Sequence, residues 1–163
     1  NTSILLENNL KDIPKSGKHK ARVVYDEASV LVEFIPYIKK KIYSLKIVMD
    51  DTIDYAFKYE DRYRLTKLFD CRENCDDIII VKNGLCTDSY FANLAFFDGA
   101  HWFTPKNPLL NGVKRQALVE KDKLIEADIS IESIGTFKKV SLINAMLDLD
   151  EVSVPVGQIF SEG

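Results

Sequence analysis

With 163 residues, 46% of them hydrophobic and 29% charged, the chain can bury a real core and suits one domain or two small lobes. A net charge of −3 supplies no basic surface for nucleic acid, and no apolar run approaches the roughly 18 residues that span a bilayer. Cys71, Cys75 and Cys86 form no disulfide-scaffold pattern and read as reduced thiols of a cytoplasmic protein; His19 and His101 lie too far off to complete a metal site.

The chain opens on Asn1 rather than Met, and NTSILLENNL reads as the interior or end of a helix, so an N-terminal segment is expected to be absent. Residues 4–12 suit a helix that ends before Pro14. HKARVVYD (19–26) and SVLVEFIPY (29–37) are β-branched runs joined by a short turn, which predicts a hairpin. KIYSLKIVMD (41–50) is a further strand. In YAFKYEDRYRL (55–65), Tyr55, Phe57 and Tyr59 alternate with Ala56, Lys58 and Glu60, which again reads as a strand. From Asp61 to Asn74 the spacing of Tyr63, Leu65, Leu68 and Phe69 changes to that of an amphipathic helix, with Asp61 as its cap.

The second half begins with a strand and turn at DDIIIVKNG (76–84). Residues 85–105 read as a strand, an irregular crossing and a hairpin turned at Asp98-Gly99. GVKRQALVEK (112–121) is a short helix opening directly after Gly112. LIEADIS (124–130) and KKVSLINAM (138–146) are strands around the short helical IESIGTF, and VSVPVGQIF (152–160) closes the chain. A cut near residue 50 divides the chain into 1–50 and 51–163.

Each stretch that could carry chemistry also has an ordinary reading. Lys58 can be a solvated charge, and Asp88 in CTDSYFAN a carboxylate that fixes its own turn. Gly112 can be a plain loop residue and cap, although helix N-termini offer free N–H groups and a positive dipole end to a phosphate. Asn144 in LINAM can simply satisfy nearby backbone. Taken in order, however, the chain presents a lysine on a strand, a carboxylate about thirty residues on, a helix start preceded by Leu-Leu and a turn, and a polar end to a late strand. A pyridoxal phosphate site needs an amine, a carboxylate for the ring nitrogen and N–H groups for the phosphate.

In FKYEDR (57–62), LCTDSYFANLAF (85–96), TPKNPLLNGVKR (104–115) and LINAM (142–146), the chain resembles the class IV aminotransferases, the fold type IV pyridoxal phosphate enzymes. The resemblance spans residues 20–160. It implies an α+β fold of two lobes, a small and incomplete α/β N-lobe and a larger barrel-like C-lobe, assembled as a homodimer acting on a small amino substrate. It makes Lys58 the lysine that forms the Schiff base, with Arg62 and Tyr63 near the cofactor. Thr87-Asp88-x-x-x-x-Asn93 stands where the family has Thr-Glu-x-x-x-x-Asn, so Asp88 falls on the ring nitrogen's partner. Its arm is shorter by one methylene, and the contact then requires a shifted backbone or a water. Leu110 matches the leucine against the ring. Gly112, Val113 and Lys114 match the phosphate-holding turn, with Lys114 where threonine is common. Asn144 and Ala145 match a second loop of the site. The family's N-terminal strand and its phosphate-reaching arginine have no match and would precede Asn1.

Two activities follow from the resemblance. Lys58-x-x-x-Arg62 and the short length slightly favour 4-amino-4-deoxychorismate lyase, which eliminates pyruvate and leaves 4-aminobenzoate for folate biosynthesis. Tyr63 and the general pattern suit a branched-chain or D-amino acid aminotransferase. A degenerate, non-catalytic member is the third reading.

Overall fold

The computed structural model describes residues 13–26, 29–55 and 61–161. The expected helix at 4–12 and Lys58 with its flanking residues lie outside them. Two compact units divide at Lys40/Lys41. In the first, β1 (His19–Tyr25) and β2 (Val30–Pro36) form the expected antiparallel hairpin, running from His19 opposite Pro36 to Tyr25 opposite Val30. Arg22 and Glu33 face each other across the strands and pair at 2.6 Å.

The second unit holds two sheets. In the first, β3 (Leu45–Met49) and β4 (Asp77–Lys82) run parallel, β5 (Leu85–Cys86) returns antiparallel to β4, and β11 (Ile159–Phe160) lies parallel to β3. Ile78, Ile79, Ile80 and Val81 of β4 are all fully buried, as a continuous apolar run in a central strand predicts. The division falls ten residues before the cut at residue 50, because β3 is hydrogen-bonded into this sheet. The other sheet has the order β10-β9-β6-β7-β8, with β6 (Asn93–Phe97), β7 (Trp102–Pro105), β8 (Ile125–Ala127), β9 (Lys139–Ile143) and β10 (Ser153–Pro155). Every pairing in it is antiparallel except β7 with β8. The Asp98-Gly99 turn joins β6 to β7; Asp98 Oδ1 accepts from the amides of Ala100 and His101, each at 2.7 Å.

Helix α1 (Tyr63–Asp70) lays Leu65 against Ile53, Ile78 and Ile80. It is shorter than the 61–74 expected, and Glu73 beyond it adopts φ +53°. Asp61 sits one residue before the N-cap Arg62, its Oδ1 accepting the Tyr63 N–H at 2.8 Å. Helix α2 (Val113–Glu120) starts where the sequence predicts, with Gly112 as N-cap, and sets Leu118 and Val119 against Ala95, Leu124 and Ile143. The closing segment 152–160 is not one strand. Val154-Pro155 ends β10, a 3₁₀ turn over Val156–Gln158 follows, and β11 joins the other sheet. Proline has no N–H with which to continue a ladder, so the break falls there.

Candidate functional site

The candidate residues gather where the chain leaves one sheet for the other. Thr87 and Asp88 still pair with β4: the Thr87 N–H reaches the Ile80 carbonyl at 2.9 Å, and the Ile80 N–H reaches that of Asp88 at 2.8 Å. A turn held by Ser89, whose Oγ accepts the Ala92 N–H at 3.0 Å, then delivers the chain into β6. Asp88 and Asn93 face each other across it as a single bridge.

Asp88 is buried, and both of its oxygens are engaged by the protein. Oδ1 accepts from Asn93 Nδ2 at 2.5 Å; Oδ2 accepts the N–H groups of Leu109 and, at 3.3 Å, Leu110. Burial raises its pKa to about 7, against the pull of the Asn93 amide, the Leu109 and Leu110 amides and the Arg115 charge. The other proton of Asn93 Nδ2 goes to the Leu110 carbonyl at 2.7 Å. Asn93 also explains Gly112: a β-carbon there would fall closer than 3.0 Å to Asn93 Oδ1, although the Gly112 backbone, at φ −66°, would admit any residue. A buried acid, a buried amide and a glycine thus fix the approach to α2.

The N-cap Gly112 has no side chain to cap α2, so among the described residues the first amides and dipole end of the helix can receive an anion. Lys114 on the first turn is paired with Asp148 of the loop after β9. Asn144 in that loop accepts from the Met146 and Leu147 amides at 2.8 and 3.0 Å, and its Nδ2 reaches the Phe91 carbonyl at 3.3 Å. Among the described residues these contacts agree with the ordinary reading of Asn144, that it satisfies nearby backbone. Ala145 is exposed on the same turn.

Arg62 donates to the Tyr90 carbonyl and stacks on the Tyr90 ring at 4.3 Å; that ring stacks in turn on Phe69 at 4.4 Å. Tyr63 is separate from this group. Its ring is 63% exposed and lies beside the Lys67 ammonium one turn on.

The sequence matches the amino-transferase class IV family over residues 60–154. It is 37% identical over 127 residues to an uncharacterized Haemophilus influenzae protein, across 78% of this chain and 68% of the relative. The chain belongs to the class IV aminotransferase family. Among solved structures it is similar to a candidate 4-amino-4-deoxychorismate lyase from Haemophilus somnus: 33% identity, TM-score 0.82, covering 91% of this chain and 76% of that one. A Brucella abortus aminotransferase bound to pyridoxal phosphate shares the fold at 16% identity and TM-score 0.59, over 81% of this chain and 50% of that one. The chain accordingly has the α+β fold of the fold type IV pyridoxal phosphate enzymes.

The start of α2, with the glycine in close approach, has the N–H donors that would suit the phosphate end of the cofactor, and Leu110 lies on the turn before it. Two of the matched side chains have protein partners. The Lys114 ammonium pairs with Asp148. Asp88 accepts from three protein donors.

Sequence reasoning missed Arg115. It is 3% exposed, and it donates to Thr104 Oγ1, the Pro105 carbonyl, Asn111 Oδ1 and Glu126 Oε1 at 3.3, 2.7, 2.8 and 2.6 Å. The signal was present: Arg115 shares a helix face with Leu118 and Val119, three and four residues on, both of which pack inward. A charge on the apolar face of a short helix needs partners.

Proposed function

We propose that the protein is a pyridoxal phosphate-dependent enzyme, working as a homodimer on a small amino substrate, and that it is a 4-amino-4-deoxychorismate lyase. The observation that carries this reading is the 33% identity to the Haemophilus somnus protein across 91% of the chain. It is supported by the uncapped start of α2 beside the Asp88–Asn93 pair.

When bound, pyridoxal phosphate supplies a ring that takes up electrons from the substrate's α-carbon. The protein's part is to bind, orient and move protons. Lys58 is the amine that attaches the cofactor and then carries the proton. The Val113 and Lys114 amides hold the phosphate, Leu110 lies against the ring, and Asn144 and Ala145 border the site from the loop after β9. Arg62, tied to Tyr90, fixes the loop that carries Asp88. The aminotransferase reading leaned on Tyr63, whose exposed ring gives it no added support.

The test is an absorbance titration with pyridoxal phosphate followed by assays of pyruvate release from aminodeoxychorismate and of keto-acid formation from a panel of amino acids. The lyase reading expects a band near the visible that borohydride removes, together with pyruvate. Lys58→Ala is expected to abolish both and leave the circular dichroism unchanged. Keto acids without pyruvate would make the protein an aminotransferase. Absence of any band would make it a non-catalytic family member.

A further inference from the structure

We propose that Asp88 is a positioning residue: its carboxylate locks the Leu109–Leu110 turn, and with it the start of α2, in the geometry that receives an anion, and it is not the partner of the cofactor's ring nitrogen. The second half of this statement rests on the function proposed above; the first does not.

Leu109 and Leu110 lie in neither helix nor strand, and no main-chain carbonyl accepts from their N–H groups among the described residues. Half-buried amides need an acceptor. Asp88, 21 and 22 residues earlier, supplies one oxygen to both. Its other oxygen takes the Asn93 amide, which also holds the Leu110 carbonyl and stands against Gly112, the N-cap of α2. The N–H and C=O of Leu110 are therefore both fixed by one pair of buried side chains, two residues before the N-cap of the helix.

Only a carboxylate presents acceptors on two oxygens. Asparagine at position 88 would turn an NH₂ group either toward the Asn93 donor or toward the two turn amides. Glutamate would carry the carboxylate about 1.5 Å farther, one carbon–carbon bond, into a space already filled by these donors. The short side chain suits the turn: the Asn93, Leu109 and Leu110 donors already take three of the carboxylate's roughly four acceptor sites.

The experiment is hydrogen exchange on the full chain without cofactor, for the wild type, Asp88→Asn and Asp88→Glu, joined to titrations with inorganic phosphate and with pyridoxal phosphate. In the wild type, Leu109 and Leu110 should exchange at least about a hundredfold more slowly than unstructured amides; exchange at the unstructured rate overturns the proposal without any variant. In both variants these two amides should lose about tenfold or more of their protection, while β4 and β9 keep theirs, and affinity for phosphate should fall about tenfold. Unchanged protection in both folded variants overturns the proposal. A ring-nitrogen partner predicts the opposite pattern: Asp88→Glu binds pyridoxal phosphate as well as or better than the wild type, and Asp88→Asn shifts the pH dependence of the bound cofactor's band at unaltered affinity. Either result removes the positioning role. If the wild type binds no pyridoxal phosphate, the proposed function fails by itself, and the exchange and phosphate arms still decide the role of Asp88.

Discussion

Gly112→Ala isolates the contact on which the candidate site is built. The Gly112 backbone at φ −66°, ψ 144° is open to alanine, so any penalty is steric rather than conformational. The added methyl would lie closer than 3.0 Å to Asn93 Oδ1 and 3.5 Å from its Cγ, so Asn93 must move. That side chain is held by a charge-assisted hydrogen bond to Asp88 at 2.5 Å and a neutral one to the Leu110 carbonyl at 2.7 Å. The first is worth about 1.5–3 kcal/mol and the second about 0.5–1.5 kcal/mol. The lower entropy of the unfolded alanine chain returns about 0.4–1 kcal/mol. A net loss of about 2–3 kcal/mol is expected, read as a lower urea midpoint at unchanged slope. Repeating the substitution in an Asn93→Ala background, which clears the space, should bring the penalty below about 0.5 kcal/mol. The reasoning fails if Gly112→Ala costs under about 1 kcal/mol alone, or the same in both backgrounds.

Three further outcomes are expected. Arg115→Ala should destabilise by about 3 kcal/mol in urea unfolding, because it strands buried acceptors; Arg115→Lys should recover under half of that, since a point charge cannot span the four oxygens the fork reaches. Asp148→Asn removes an anion paired with Lys114 beside the start of α2, and calorimetry should show inorganic phosphate binding a few-fold more tightly, with stability changed by under about 1 kcal/mol because the pair is partly exposed. For Asp88, burial raises the folded pKa to about 7 while the unfolded group titrates near 3.8, so the unfolded chain releases its proton first. Stability should therefore fall as pH rises between these two values and level off above them, and unfolding free energies across that window should show the decline for the wild type relative to Asp88→Asn.

Local pattern made much of the fold legible. Alternation and a short turn predict the 19–36 hairpin, the run Ile78–Val81 marks a buried central strand, and Gly112 marks the start of α2. What local pattern could not carry is which sheet a strand joins. Within residues 152–160, Pro155 and a 3₁₀ turn send the two ends to different sheets. The site divides in the same way. The residues at 88, 93, 110 and 112 are singled out by the order and spacing of their stretches and by the resemblance these carry, since each has an ordinary reading by itself. Their connections were not legible. Asp88 meets Leu109 across 21 residues of chain, and the sequence states neither that distance nor that both carboxylate oxygens are taken at its end. The partners of Arg115 were hidden for a related reason: its helix face could mark it as inward, but its four acceptors come from β7, β8 and the loop between β7 and α2, outside its own helix.

The two buried charges solve one problem between them. The segment from Thr104 to Gly112 cannot be held by a sheet ladder along its length, since β7 ends at Pro105 and Pro105 and Pro108 lack N–H groups; just beyond β7, Lys106 donates to the Ala127 carbonyl of β8 at 2.9 Å. The backbone groups beyond the end of β7 need partners of both kinds. Arg115, a pure donor, takes the Pro105 carbonyl and Thr104 Oγ1 at the near end and Asn111 Oδ1 at the far end. Asp88, an acceptor when ionised, takes the amides of Leu109 and Leu110 in between. Neither charge can do the other's work, because one satisfies carbonyl and hydroxyl oxygens and the other N–H groups. The start of α2 inherits its position from both, so a substitution at either residue should displace the same anion-receiving amides although neither side chain belongs to them. The helix dipole that attracts an anion is generic; where it points in this protein is set by a buried acid on one side of an irregular segment and a buried base on the other.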